Sequence, residues 1–204
     1  MRFTSALLLV AAFTPAASHA QVPVRPIGSV VSTTTEPLGI VGHMRALPGG
    51  RLLVNDVMRR RVLLLDSALT VVRVVIDSTT GAADAYGPRP GGLMAWKGDS
   101  TLFIDPASLS MLVIDAGGKV ARVMSVPRTQ EANALTSISF GTPALDAEGR
   151  LVYRAFPAQQ FRTMGGPGAR PAQPPSPPDS AAIVRLDLAT RKVDTAAFIR
   201  IPRV

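Results

Sequence analysis

The chain has 204 residues, no cysteine and a formal net charge of +8, from 22 basic and 14 acidic residues. Without cysteine there is no disulfide framework, so the fold must rest on its apolar core. All but three of the basic residues are arginine, but they are spread along the chain, and aromatic residues make up only 5%. A nucleic-acid-binding surface needs a basic patch, so this composition argues against nucleic acid as a partner.

The first 20 residues have the pattern of a secretory signal peptide. Arg2 precedes the apolar stretch Ala6–Phe13, and Ser18–Ala20 has the small-x-small pattern of a cleavage site. The apolar stretch is shorter than the roughly 20 residues that a bilayer span requires. We therefore expect an exported protein, periplasmic or extracellular, with no membrane span. His43 is then the single histidine of the mature chain, which excludes a multi-histidine zinc site.

A self-similar unit follows the leader. The pattern GRLLVNDVMRRRVLLLD at residues 50–66 returns as DSTLFIDPASLSMLVID at 99–115. It returns more loosely as GRLVYR at 149–154, and its second half, AAIVRLD, resumes at 181–187 after an insertion. A fixed period of this length is typical of repeat folds in which each unit packs on the next.

Three leucines hold one position of this unit. Leu53, Leu102 and Leu151 are each 49 residues apart, and we expect them in the core. Each unit contains four short runs rich in Val, Ile and Leu and bounded by turn residues, which predicts four β-strands. The predicted strands are His43–Leu47, Arg51–Asn55, Arg61–Leu65, Leu69–Ile76, Leu93–Lys97, Thr101–Ile104, Ser110–Ile114, Val120–Val126, Thr142–Asp146, Arg150–Tyr153, Ala182–Leu186 and Lys192–Ile199. Four antiparallel strands in each repeat predict an all-β fold of β-propeller blades.

The units resemble the repeats of six-bladed NHL/TolB-like propellers, which read approximately Gly-x-Leu-Tyr-Val-x-Asp and then Arg-Val-x-x-Phe-Asp. The resemblance is specific for architecture and not for activity. Since it implies six blades and the chain carries three, we expect an N-terminal fragment of a longer propeller, or a half-propeller that self-associates through its open edges. The expected organisation is a signal peptide at 1–20, an N-terminal strand and loop at 21–41, blades at 42–90, 91–140 and 141–204, and a Pro/Gly-rich insertion at 156–179.

Ligand sites in propellers lie at the channel mouth, on the loops that lead into the inner strands. His43 and Arg45 open the first inner strand, where alternation points both side chains to one face and allows them to hold an anion. Tyr86 and Arg89 lie on a loop stiffened by Pro88 and Pro90. These four residues are the candidate ligand-binding residues. For each, a structural role remains the alternative.

The expected function is that of an exported binding protein without catalytic machinery, whose ligand is a small molecule, peptide, glycan or protein. No catalytic residue or resident metal ligand is predicted, and no cofactor motif is present. The alternative is a hydrolase like the lactonase-type six-bladed propellers, which hold calcium in the channel. Under that alternative the oxygen donors by position are Glu36, Asn133 and Asp146. A third hypothesis is an assembly module that presents the insertion 156–179 to a partner.

Overall fold

The computed structural model describes residue 26 and residues 28–79, 84–137, 141–155 and 179–201. The predicted signal peptide and nearly all of the predicted insertion lie outside the described residues. The chain divides into two compact units, Met1–Val31 and Ser32–Val204, and the sheets belong to the second. Within the described ranges, no helix is long and apolar enough to cross a membrane.

Twelve strands form three four-stranded antiparallel sheets. The first sheet has the order β1-β2-β3-β4, the second β5-β6-β7-β8 and the third β9-β10-β11-β12. The strands are β1 Val41–Leu47, β2 Arg51–Asp56, β3 Arg61–Leu65, β4 Val71–Ile76, β5 Gly92–Ala95, β6 Thr101–Asp105, β7 Ser110–Ile114, β8 Val120–Ser125, β9 Ala144–Leu145, β10 Leu151–Arg154, β11 Ser180–Leu186 and β12 Val193–Arg200. The all-β fold with consecutive four-stranded blades is thus confirmed, and each strand lies within three residues of its prediction.

The repeat position of the three leucines lies at the centre of each sheet. Leu53 pairs with Leu64, Leu102 with Val113, and Leu151 with Leu186. Leu53, Leu102 and Leu151 are all 0% exposed. Because β-branched and aliphatic side chains pack well on a pleated surface, the two middle strands of each sheet form its buried centre.

The core lies between the sheets rather than within them. One cluster joins the first sheet to the second, and its buried members are Leu47, Leu53, Val62, Leu64, Ile76, Tyr86, Leu93, Phe103, Leu112 and Ile114. A second cluster joins the second sheet to the third, and its larger members are Met94, Leu102, Ile104, Met111, Leu135, Leu151, Tyr153, Val184 and Leu186. This face-to-face burial is the way in which propeller blades stabilise one another.

A short helix that the sequence did not indicate enters the second cluster. The helix α1, Ala132–Thr136, lies on the connection from β8 to β9 and buries Ala132, Ala134 and Leu135. Helical periodicity is recognised over windows of about 11 residues or more. A five-residue helix is therefore too short to be seen in the sequence pattern.

Residues 32–40, which are part of the predicted N-terminal strand and loop at 21–41, form no strand. This segment is attached to the first sheet by the arginines of the turn between β2 and β3. The Pro37 carbonyl accepts hydrogen bonds from Arg59 and, at 2.7 Å, from Arg61 Nη2. Arg61 Nη1 also lies 2.7 Å from Glu36 Oε1. The arginine-rich turn is therefore an anchor for the segment before β1.

The repeated aspartates hold turns, as their position at strand ends predicts. Asp105 Oδ1 accepts a hydrogen bond from the Ala107 amide at 2.9 Å, and Asp115 Oδ1 accepts one from the Lys119 amide at 2.9 Å. Asp56 is 0% exposed and accepts hydrogen bonds from the amides of Gly39 and Arg59. These carboxylates are satisfied by backbone amides, so they belong to the scaffold.

Candidate functional site

The innermost strands of the three sheets, β1, β5 and β9, border a single pocket. Its volume is about 600 Å³, within the range of roughly 300–1,000 Å³ that is usual for small-molecule sites. We call it the inner pocket and define it by His43, Arg45, Met94, Trp96, Thr142 and Leu145, which are among its lining residues. One strand from each sheet contributes, so the pocket exists only when all three sheets are assembled.

His43 and Arg45 line the inner pocket, and each has one buried polar atom without a hydrogen-bond partner among the described residues. His43 Nδ1 and Arg45 Nε are buried and have no hydrogen-bond partner in the described part of the chain. The other side of the guanidinium contacts the second sheet, where Arg45 Nη2 donates to the Gly98 carbonyl at 3.4 Å. A buried polar atom without a partner costs about 1–3 kcal/mol. A ligand that satisfied both atoms would remove this cost.

His43 and Arg45 have different charge states in the inner pocket. Burial lowers the pKa of His43 below its ordinary value of 6.5, so the imidazole is neutral at pH 7. Burial also lowers the pKa of Arg45, while the Asp99 carboxylate acts in the opposite direction. An arginine stays protonated under all such conditions. The inner pocket therefore holds one permanent positive charge, on Arg45, and one neutral imidazole, that of His43. A bound anion would raise the pKa of this imidazole.

Tyr86 lies in the core between the first two sheets and not at the inner pocket. Its side chain is 2% exposed and packs on Phe103 with ring centroids 4.9 Å apart. The hydroxyl donates to Asn55 Oδ1 at 2.9 Å and accepts a hydrogen bond from the Gly91 amide at 2.8 Å. Asn55 Nδ2 in turn donates to the Gly91 carbonyl at 2.8 Å. Tyr86 thus fixes the loop that leads into β5.

Arg89 is exposed on that same loop. The inner-pocket lining of the described residues contains His43 and Arg45 but neither Tyr86 nor Arg89. The structure therefore brings together two of the four sequence-predicted ligand-binding residues. Of the other two, Tyr86 is buried in the core and Arg89 is exposed to solvent.

The oxygen donors proposed for calcium have other partners. Glu36 is paired with Arg61, and Asp146 Oδ2 lies 2.7 Å from Arg150 Nε. Asn133 lies in α1. Within the described ranges, no group of three or more His, Cys, Asp and Glu side chains is placed to hold a metal ion. Two of the three proposed donors, Glu36 and Asp146, are thus engaged by arginines in the part of the chain that the structure describes.

Sequence reasoning missed the apolar wall of the inner pocket. Trp96 stands on the β5 side of the inner pocket, with Lys97 Nζ 5.8 Å from the centroid of its ring. Trp96 holds the same repeat position as Leu47 and Leu145, 49 residues to either side. An aromatic residue in place of leucine at a repeat position is the signal that could have marked it. Asn55 was missed as well, because a buried side-chain amide inside a strand has no distinctive pattern.

Comparison with known proteins supports the fold alone. No protein-family model matches the chain, and no curated protein matches it significantly. A solved structure of a predicted exported protein of Bacteroides fragilis is similar with a TM-score of 0.51 and 14% identity, over 79% of this chain. A protein of unknown function from Bacteroides caccae gives a TM-score of 0.35 and 16% identity, over 77% of this chain.

The chain spans only part of these two proteins. It covers 38% of the length of the Bacteroides fragilis protein and 44% of that of the Bacteroides caccae protein. The first likeness agrees with the architecture of consecutive four-stranded antiparallel sheets. Identity this low carries no activity from one protein to another.

Proposed function

We propose that this chain is an exported binding protein of the NHL/TolB-like propeller type, which holds a small anionic ligand in the inner pocket. The 49-residue period and the leader-like residues 1–20 support propeller type and export. The observation that carries the ligand class is the pair of buried, unpartnered atoms His43 Nδ1 and Arg45 Nε. Arg45 Nε–H is a permanent donor, so the matching ligand atom must be an acceptor.

The lining of the inner pocket narrows the class of ligand further. Trp96 and Met94 offer apolar surface beside the fixed charge of Arg45. The guanidinium is planar and forms paired hydrogen bonds with carboxylates and other oxyanions. A carboxylate or sulfonate with a short apolar or cyclic body satisfies the donor and covers the ring of Trp96. Binding, rather than reaction, is the role that we propose for these groups, since among the described residues His43 Nδ1 has no partner that would activate the ring as a base.

The binding experiment compares anions of one, two and three carboxylates. Isothermal titration of acetate, succinate and citrate at constant ionic strength tests whether the chain binds them. Arg45→Gln should weaken the best of them about tenfold or more, because a charge-assisted hydrogen bond contributes about 1.5–3 kcal/mol. Arg200→Gln, which removes an exposed arginine of β12, is the control and should change affinity less than about twofold. Equal losses in both variants would contradict the proposal.

The pH dependence gives a second, independent readout. A bound anion favours the imidazolium form of His43, so binding takes up a proton. Affinity for the permanently anionic methanesulfonate should therefore rise as the pH falls from above 6.5, by up to about tenfold for each unit by which the anion raises the pKa. His43→Gln should abolish this rise and leave the affinity at pH 8 nearly unchanged. An affinity that is independent of pH in the parent protein would exclude contact between the anion and His43.

A further inference from the structure

A second cavity lies at the outer rim, between the second and third sheets. Its volume is about 250 Å³. We call it the rim groove. Its lining includes Arg122, Met124 and Ser125 of β8, Met111 of β7, and Leu188 and Arg191 of the turn between β11 and β12. The rim groove shares no lining residue with the inner pocket among the described residues.

The rim groove contains two cations and no compensating acid. In the described ranges, neither the Arg122 nor the Arg191 guanidinium makes a hydrogen bond or ion pair, and the lining residues of the rim groove include no carboxylate. Asp187, the acid of the adjoining turn, accepts hydrogen bonds from the amides of Ala189 and Thr190 at 2.8 and 2.9 Å. Both arginines are exposed and line the same groove, so an anion between them would be attracted by both charges.

The repeat shows that this arrangement is not a general feature of the fold. In each sheet a turn joins the third strand to the fourth, and the second-last residue of this turn has a positive φ. It is Leu69 in the first sheet (φ 63°), Gly118 in the second (φ 77°) and Arg191 in the third (φ 57°). The first two are apolar. The third places a charged side chain where the others place none.

The corresponding turns also pack differently. Leu69 packs on the apolar cluster of Val54, Leu63 and Leu65. Gly118 lies so close to the first sheet that a Cβ atom would stand 2.8 Å from Leu64 Cδ2, which closes that gap. At Arg191 the gap to the second sheet stays open as the rim groove. Arg191 has the left-handed backbone of Leu69, which costs a non-glycine residue about 1–2 kcal/mol.

We propose that the rim groove binds a phosphate or sulfate monoester, with the oxyanion between Arg122 and Arg191. Guanidinium groups form paired, charge-assisted hydrogen bonds with such oxyanions. The groove volume lies below that of typical drug-sized sites, which suits one charged group and a few carbon atoms.

The experiment titrates the full chain with butyl phosphate, butyl sulfate and inorganic phosphate at constant ionic strength. Butyl phosphate should bind with a Kd on the order of 1 mM or below. Arg122→Gln and Arg191→Gly should each weaken it about tenfold. Arg191→Gly is compatible with the fold because glycine adopts a positive φ without strain. Butyl sulfate in place of butyl phosphate distinguishes the two sources of oxyanion.

The matched control is Arg73→Gln. Arg73 is exposed on β4 and stands 49 residues before Arg122, at the same repeat position of the first sheet. It should change the affinity less than about twofold. Repeating the titration in the Arg45→Gln background removes the inner pocket from the measurement, and the loss caused by Arg122→Gln should persist in that background. The proposal is overturned if neither monoester binds at millimolar concentration, if Arg73→Gln weakens binding as much as Arg122→Gln, or if Arg45→Gln abolishes it.

Discussion

The interface between the first and second sheets and the interface between the second and third differ, although the same repeat builds both. The first is closed by Gly118 against Leu64 and crossed by the hydrogen bonds of Asn55, Tyr86 and Gly91. The second contains α1 and stays open at the rim groove. The strands follow the repeat, so the three sheets have the same arrangement. The connections between strands differ from one interface to the other, and these differences decide where a ligand can enter.

The largest expected loss of stability tests the buried leucine position that the repeat places in every sheet. Leu102→Ala should lower the free energy of unfolding by about 2–5 kcal/mol, because it leaves a cavity in a 0% exposed site. Chemical denaturation measures the change. Val123→Ala on β8, where the side chain is 49% exposed, is the control and should cost less than about 0.5 kcal/mol. A similar cost for both variants would contradict the assigned register.

The next effect tests the polar bridge of the first interface. Tyr86→Phe leaves the Gly91 amide and Asn55 Oδ1 without their shared partner, and should cost about 1–3 kcal/mol of stability. The double variant with Asn55→Ala should show a coupling energy of roughly 0.5–3 kcal/mol in the denaturation cycle. If the two single effects simply add, the hydroxyl and the amide do not act as one network.

The smallest effect exchanges the turn residues that distinguish the interfaces. Gly118→Ala should destabilise the protein by about 1–2 kcal/mol, because its φ of 77° is unfavourable for alanine and its Cβ would meet Leu64. Arg191→Gly should instead keep or slightly raise the melting temperature, since glycine removes the strain of a positive φ. Thermal unfolding followed by circular dichroism gives both values. Changes of the same sign would remove the distinction between the closed and the open interface.

Much of the site could not be predicted, because it depends on which residues the connections bring together. Tyr86 and Arg89 lie on one loop and looked equivalent in the sequence, but one is buried on Phe103 and the other is exposed. His43 and Arg45 were found because strand alternation alone gives them a common face. The rim groove escaped sequence reasoning entirely, since Arg122 and Arg191 are 69 residues apart and only the packing of β8 beside a turn of the third sheet joins them.

The sequence by itself determined the repeating sheet. A 49-residue period of Val, Ile and Leu runs fixes four strands for each unit, and the leucine positions fix the buried centre, because local pairing and burial need no information from distant residues. Tertiary structure alone decided the functional surfaces. The inner pocket needs one strand from each of three sheets, and the rim groove needs two neighbouring sheets with an unfilled gap between them. Both depend on how whole sheets pack, which no single stretch of the chain encodes.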